Sequence, residues 1–145
     1  MKKVYVNEKW CLGCRLCEYY CAFAETGKTD IVKALKDLKI NPRIKIEEGN
    51  KDGKFTTFAV NCRHCEDPIC VKSCISGAIK KENGIVSIDK NKCIGCCTCI
   101  LVCPYGSLTM SDNGTALKCE LCSENGGEPF CVKGCPNKAI VFEER

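Results

Sequence analysis

The sequence predicts an α+β fold of two interlocked small units, and three observations lead there. Sixteen of its seventeen cysteines fall into four similarly built groups. Two Asn-Gly turns each sit between short apolar strands. Once the cysteines are set aside, only about a third of the 145 residues are apolar, too few for one self-sufficient core. The chain has room for one compact body or two small ones sharing a seam, and none for a separate catalytic domain.

Taken in order, Val4-Tyr5-Val6 reads as a first strand. The first cysteine group follows, then a long cysteine-free segment, residues 27–60. There Ile31, Leu35 and Leu38 recur at helical spacing behind Asp30, a cap, and predict a short amphipathic helix. Arg43 to Glu47 alternates as a strand, 48–53 reads as a polar turn, and Phe55 to Val60 returns as a second strand. After the second group, Gly77 to Asp89 is a hairpin turning at Asn83-Gly84. Ser107 to Lys118 repeats the design at Asn113-Gly114. Ala139 to Phe142 is a closing strand, expected beside Val4-Tyr5-Val6. The expected division is an outer unit from 1–26 plus 119–145, an insertion at 27–60 and an inner unit at 61–118.

The four groups are Cys11, Cys14, Cys17, Cys21; Cys62, Cys65, Cys70, Cys74; Cys93, Cys96, Cys99, Cys103; and Cys119, Cys122, Cys131, Cys135. In the first and third, three thiols spaced by two residues can wrap three corners of an iron-sulfur cubane. The fourth, three residues on, points away toward a second cube, as in two-cluster ferredoxins. Zinc, the plainer alternative, wants two Cys-x2-Cys pairs across a long spacer and leaves the third and fourth cysteines unexplained. A disulfide framework suits secreted chains. Here the first residues show no apolar leader and no stretch is long enough to span a membrane, so the expectation is a reduced, cytoplasmic protein with no direct membrane insertion.

A formal charge of +4 would by itself raise the question of nucleic acid. Each oxidised cubane with its thiolates carries about −2, so four bring the loaded protein to about −4 and remove that argument. Neither a dinucleotide fingerprint nor a P-loop is present, and a single histidine supports no catalytic triad. The chemistry on offer is electron storage and transfer, with no catalytic residues.

With all four groups in order, including Cys62-Arg63-His64-Cys65-Glu66-Asp67-Pro68-Ile69-Cys70 and Cys103-Pro104-Tyr105-Gly106, nearly the whole chain resembles a known family. These are the four-cluster ferredoxin-like electron-transfer subunits of molybdenum and tungsten pterin oxidoreductases, some hydrogenases and carbon monoxide dehydrogenase. The resemblance implies two ferredoxin-like units, each holding two [4Fe-4S] clusters and exchanging its last cysteines. One cluster would take Cys11, Cys14, Cys17 and Cys135; its neighbour Cys119, Cys122, Cys131 and Cys21. A third would take Cys62, Cys65, Cys70 and Cys103; the fourth Cys93, Cys96, Cys99 and Cys74. It also implies two partners: a larger catalytic oxidoreductase subunit, a tungsten or molybdenum pterin enzyme for aldehyde or formate in the first instance, and an external carrier such as ferredoxin. A free polyferredoxin and a zinc scaffold are the competing readings. The chain departs from the pattern where Ala22 follows Cys21 and Ile75 follows Cys74, positions often held by proline, and loop shape is expected to differ there.

Three further expectations concern single residues. His64, without a second histidine, reads as a residue packed beside a cluster rather than a ligand. Cys97, adjacent to Cys96, reads as a free thiol and a non-ligand. Trp10, Tyr19, Tyr20, Tyr105 and Phe130 flank ligand positions and are expected to shield them from water.

Overall fold

The computed structural model describes residues 1–36 and 39–145. It is α+β, with eight short strands and five short helices among those residues. Strands β1 (Lys3–Val6) and β8 (Ile140–Glu143) pair antiparallel, Val4 opposite Phe142 and Val6 opposite Ile140. The three hairpins are β2 (Lys45–Lys51) with β3 (Lys54–Val60), β4 (Ile79–Glu82) with β5 (Ile85–Ile88), and β6 (Thr109–Met110) with β7 (Ala116–Leu117). The helices are α1 (Leu16–Ala24), α2 (Ile31–Leu35), α3 (Ile69–Lys72), α4 (Thr98–Val102) and α5 (Phe130–Lys133).

Local chemistry accounts for most boundaries. Asn83 and Gly84 both take positive φ, 49° and 80°, as a two-residue turn that matches strand twist requires. Asp30 caps α2, its carboxylate accepting from the Lys33 N–H at 3.1 Å. Leu38, expected as the last apolar position of that helix, lies outside the described residues. The polar stretch 48–53 is not one broad turn. Strand β2 runs on through Lys51, and Asp52-Gly53 turns the chain at φ 53° and 76°, because a two-residue Asp-Gly loop lets the exposed polar residues before it stay in the ladder. Past Cys21 helix α1 continues to Ala24, which Ala22 permits. Helix α4 stops at Val102, before Cys103-Pro104.

Two apolar cores form. One gathers Val4 and Ile140 from the paired first and last strands, Ile44, Ile46 and Ala59 from the cysteine-free segment, Leu121, and the thiols of Cys17, Cys21 and Cys131. The other gathers Ile79, Val86, Ile88, Leu108 and Ala116 around Cys99. Sulfur atoms belong to both cores, so the apolar interior and the thiol sites occupy the same space. Side-chain bonds to backbone tie the distant segments together: Asn61 to Val4 O at 3.2 Å, Asn137 to Trp10 O at 2.7 Å and Asn125 to Ala24 O at 2.8 Å. Among the described residues no helix is long and apolar enough to cross a membrane.

Candidate metal centre

All four cysteine groups use one local design. The second residue after the first cysteine is left-handed in each: Gly13 at φ 65°, His64 at 45°, Gly95 at 71° and Leu121 at 56°. This bends the loop so that the backbone N–H can face the first sulfur. His64 N–H reaches Cys62 Sγ at 3.4 Å and Leu121 N–H reaches Cys119 Sγ at 3.5 Å. Glycine takes that conformation where space is short. A Cβ on Gly13 would meet Thr57 at 2.9 Å, and one on Gly95 would meet Gly114 O at 2.3 Å. His64 and Leu121 accept the strained conformation while their side chains are buried. The third cysteine of every group is then the second residue of a helix: Cys17 in α1, Cys70 in α3, Cys99 in α4 and Cys131 in α5.

The thiols stand around cavities. One is lined by Cys11, Cys14, Cys17 and Cys135; a second by Cys21, Cys119, Cys122 and Cys131; a third by Cys74, Cys93, Cys96 and Cys99, with Cys97 also on its wall. For the rest, burial raises the Cys70 pKa first, and the neighbouring Cys62 and Cys103 thiols add to it. Cys65 stands half-buried on the Cys62 loop. Among the described residues no three Cys, His, Asp or Glu side chains converge tightly enough for a single metal ion. The thiols ring spaces instead.

Which thiols feel one another also orders the sites. Burial, then the Glu18 carboxylate and the thiols of Cys11 and Cys14, push Cys17 up to about 12. Burial drives Cys131 far up, helped by Cys119, Cys21, Cys122 and also Cys17, so the first two sites adjoin. Burial pushes Cys119 to about 12, with Cys21 and Cys62 contributing, so the second site adjoins the loop that carries Cys62 and Cys65. Cys99 rises to about 11 through burial and then Cys93, Cys74 and Cys96. A neutral thiol is a poor ligand, and in these buried positions only a cationic partner makes the thiolate favourable.

Other groups oppose that penalty by donating to sulfur. The Arg43 N–H reaches Cys21 Sγ at 3.2 Å and the Ala116 N–H reaches Cys93 Sγ at 3.4 Å. Burial would raise Cys74 and Cys103, but the hydroxyls of Ser76 and Ser107, with nearby N–H groups, lower both. Cys96, fully exposed, is lowered chiefly by the Thr98 hydroxyl. A thiol-only donor set, ringed rather than converging and supplied with N–H and O–H donors, fits an iron-sulfur cluster in chemistry.

A 4Fe-4S dicluster domain model matches residues 54–145, well over half the chain. The chain belongs to this family. A putative electron transport protein of Escherichia coli, YsaA, is 38% identical over 133 residues, spanning 90% of this chain and 82% of that protein. The thiosulfate reductase electron transfer subunit PhsB of Salmonella typhi is 34% identical, over 94% of this chain and 72% of its own. The B subunit of the Escherichia coli anaerobic dimethyl sulfoxide reductase is likewise 34% identical, over 95% and 71%. This dicluster protein therefore stands among iron-sulfur electron-transfer subunits.

Within the dicluster family member, His64 is 1% exposed and its Nδ1 accepts from the Val86 N–H at 3.0 Å. Burial, then the charges of Lys118 and Lys3, lower its pKa to about 3 and keep the ring neutral. Cys97, at φ 62°, precedes α4 as Arg15, at 60°, precedes α1, and its thiol donates to Gly95 O at 3.4 Å. Trp10, Tyr19 and Tyr105 are exposed; Trp10 nonetheless lies on the wall of the first thiol cavity, and the Arg63 guanidinium stacks over the Tyr105 ring at 4.4 Å. Tyr20 packs over Gly134, and Phe130 lies against Phe23 with ring centroids 6.0 Å apart. The sequence reading passed over Lys118, a fully buried cation beside Cys119, because lysines ordinarily mark solvated surface.

Proposed function

We propose that the chain binds four [4Fe-4S] clusters and conducts single electrons as a non-catalytic subunit of a larger oxidoreductase. Cys11, Cys14, Cys17 and Cys135 hold the first cluster, and Cys21, Cys119, Cys122 and Cys131 the second. Cys62, Cys65, Cys70 and Cys103 hold the third, and Cys74, Cys93, Cys96 and Cys99 the fourth. Cys97 is not a ligand. Residues 1–26 with 119–145 then form an outer two-cluster ferredoxin-like unit interlocked with an inner one at 61–118, and the insertion at 27–60 covers the outer thiols. Bound clusters supply reversible one-electron chemistry; the chain fixes their spacing, excludes water and donates hydrogen bonds to their sulfurs.

One observation carries this reading. Of the sixteen grouped thiols only Cys14 and Cys96 are exposed, one in the first set and one in the fourth, while the second and third sets hold no exposed thiol. A conductor needs that pattern: two sets open to outside partners and two that are closed to them. Two relatives bear the names of subunits of reductases, which favours a permanent catalytic partner over a freely diffusing carrier. That partner is taken to be a tungsten or molybdenum pterin enzyme such as an aldehyde or formate oxidoreductase, with ferredoxin as the outside carrier. Thiols all free of disulfides suit a reducing, cytoplasmic setting.

The test is anaerobic co-purification from native cells with metal analysis. About sixteen irons per chain, four for each cysteine set, and co-elution with a large subunit carrying tungsten or molybdenum support the reading. Nickel in the partner redirects it to a hydrogenase or carbon monoxide dehydrogenase. Elution at the chain's own mass makes the protein a free polyferredoxin, and a colourless zinc-loaded chain removes electron transfer altogether.

A further inference from the structure

Lys118 is 1% exposed, among the most deeply buried side chains described. Its Nζ donates to Cys119 O at 2.6 Å and to Val86 O. Among the described residues no carboxylate lies within ion-pair distance of it. An ammonium taken out of water without a counter-charge is among the costliest arrangements a small fold can hold, so the compensating negative charge has to come from what surrounds it. Its surroundings are thiols. The Lys118 charge acts on Cys119 in one set and on Cys70 in the next, lowering the pKa of each against the upward push of burial.

Its mounting is rigid. Val86, itself 1% exposed, is held through both backbone groups, its C=O by Lys118 and its N–H by His64. Two residues further on, the Ile88 N–H donates to Glu120 at 3.1 Å, and Glu120 in turn faces Arg43 at 3.6 Å. Lys118 and Glu120 flank Cys119, His64 lies between Cys62 and Cys65, and strand β5 is clamped between the two loops. The seam between the second and third thiol sets is thus built from buried polar groups with one fixed cation at its centre.

We propose that Lys118 is the shared positive charge of the two middle cluster sites and that it holds up both of their reduction potentials, easing the electron's passage between the halves of the molecule. This rests on the ligand sets proposed above. The step is transfer of a single electron, one site losing it as the other gains it. A fixed cation stabilises the more negative, reduced form of whichever site holds the electron. Its effect falls off with distance, so the two terminal sites feel it less.

The test is an anaerobic redox titration followed by electron paramagnetic resonance on the reconstituted full chain. Unmodified protein is compared with Lys118→Met, Lys118→Gln and Lys118→Arg, with iron counted in each. Cys14→Ser and Cys96→Ser identify the terminal sites by perturbing them. The expected result is that both neutral variants shift two midpoint potentials downward, those of the non-terminal sites, while Lys118→Arg leaves all four in place. Unmoved midpoints in iron-replete neutral variants overturn the proposal, as does an equal shift of all four. Should neither neutral variant assemble, Lys118→Arg decides. Full iron with unmoved midpoints supports a role for charge, and failure of the arginine variant to load assigns Lys118 to packing alone. An unmodified chain with fewer than four clusters instead defeats the ligand sets, a separate failure.

Discussion

In the middle of the chain, the second and third cysteine groups lie on neighbouring loops joined by the hairpin β4–β5, and helices α3 and α4 pack directly on one another. The first and fourth groups stand almost the whole chain apart, and meet only because β1 pairs with β8 and α1 packs on α5. The middle closes through short loops. The ends must first close a very long one, and correspondingly their thiols are more deeply sheathed: Cys17, Cys21 and Cys131 are buried there, against Cys62 and Cys99 in the middle. The extra cover comes from Ile44, Ile46 and Ala59 of the cysteine-free segment, and the Ile46 N–H is anchored on the buried Glu18 carboxylate at 2.7 Å. Identical local loops therefore need more supporting structure when their partners are distant in sequence.

Removing iron should have the largest effect and should abolish the comparison itself. Both cores are built partly of thiols, so chelation under anaerobic conditions is expected to collapse the fold, followed by circular dichroism and loss of visible absorbance. Because Cys17 and Cys119 are pushed up to about 12, they are protonated at neutral pH until metal binds. Loading must release protons, and iron retention should weaken as pH falls. A pH-indicator assay that registered no proton release on reconstitution would contradict this.

Cysteine replacement should divide the molecule along its seam. Cys21→Ser or Cys135→Ser is expected to cost the two clusters of the outer unit while the pair of the inner unit keeps its iron, and Cys74→Ser to do the reverse. Paramagnetic resonance with iron counting reads the outcome; loss from the wrong half would show that the last cysteines are not exchanged in this way.

A smaller effect should mark the packing of α1 on α5. A Cβ on Gly134 would fall 2.3 Å from the Tyr20 ring, so Gly134→Ala has to displace that ring. A loss of about 1 to 3 kcal/mol is expected for overpacking of this kind. It should appear as faster iron release from the two clusters of the outer unit alone, and uniform release from all four would mean that the halves are not independent.

The smallest change expected is at Cys97. Its φ of 62° suits glycine, so Cys97→Gly should keep its full iron content and stability to within a few tenths of a kcal/mol. Loss of one cluster's worth of iron would make Cys97 a ligand after all.

Much of this was legible in the residues. Asn83-Gly84 marks its hairpin, Asp30 its cap, and the apolar runs at Val4 to Val6 and Ile140 to Phe142 their two strands, because each depends on neighbours or on a simple alternation. The polar residues 48–51 were misread as turn, since an exposed two-stranded ribbon leaves little apolar pattern to read. The exposure of Trp10, Tyr19 and Tyr105 was not legible, as adjacency to a thiol in sequence says nothing of what lies above a ring. The left-handed residues were visible at Gly13 and Gly95 but hidden at His64 and Leu121, where packing outweighs backbone preference.

Thiol spacing by itself determined the type of site, because a loop's curvature and the reach of its sulfurs depend on only a few intervening residues. Only the tertiary structure decided which distant thiols share a cavity, which of them are buried, and that a lysine lies buried beside Cys119. Burial and charge are properties of what surrounds a group, and surroundings drawn from opposite ends of a chain come together only on folding.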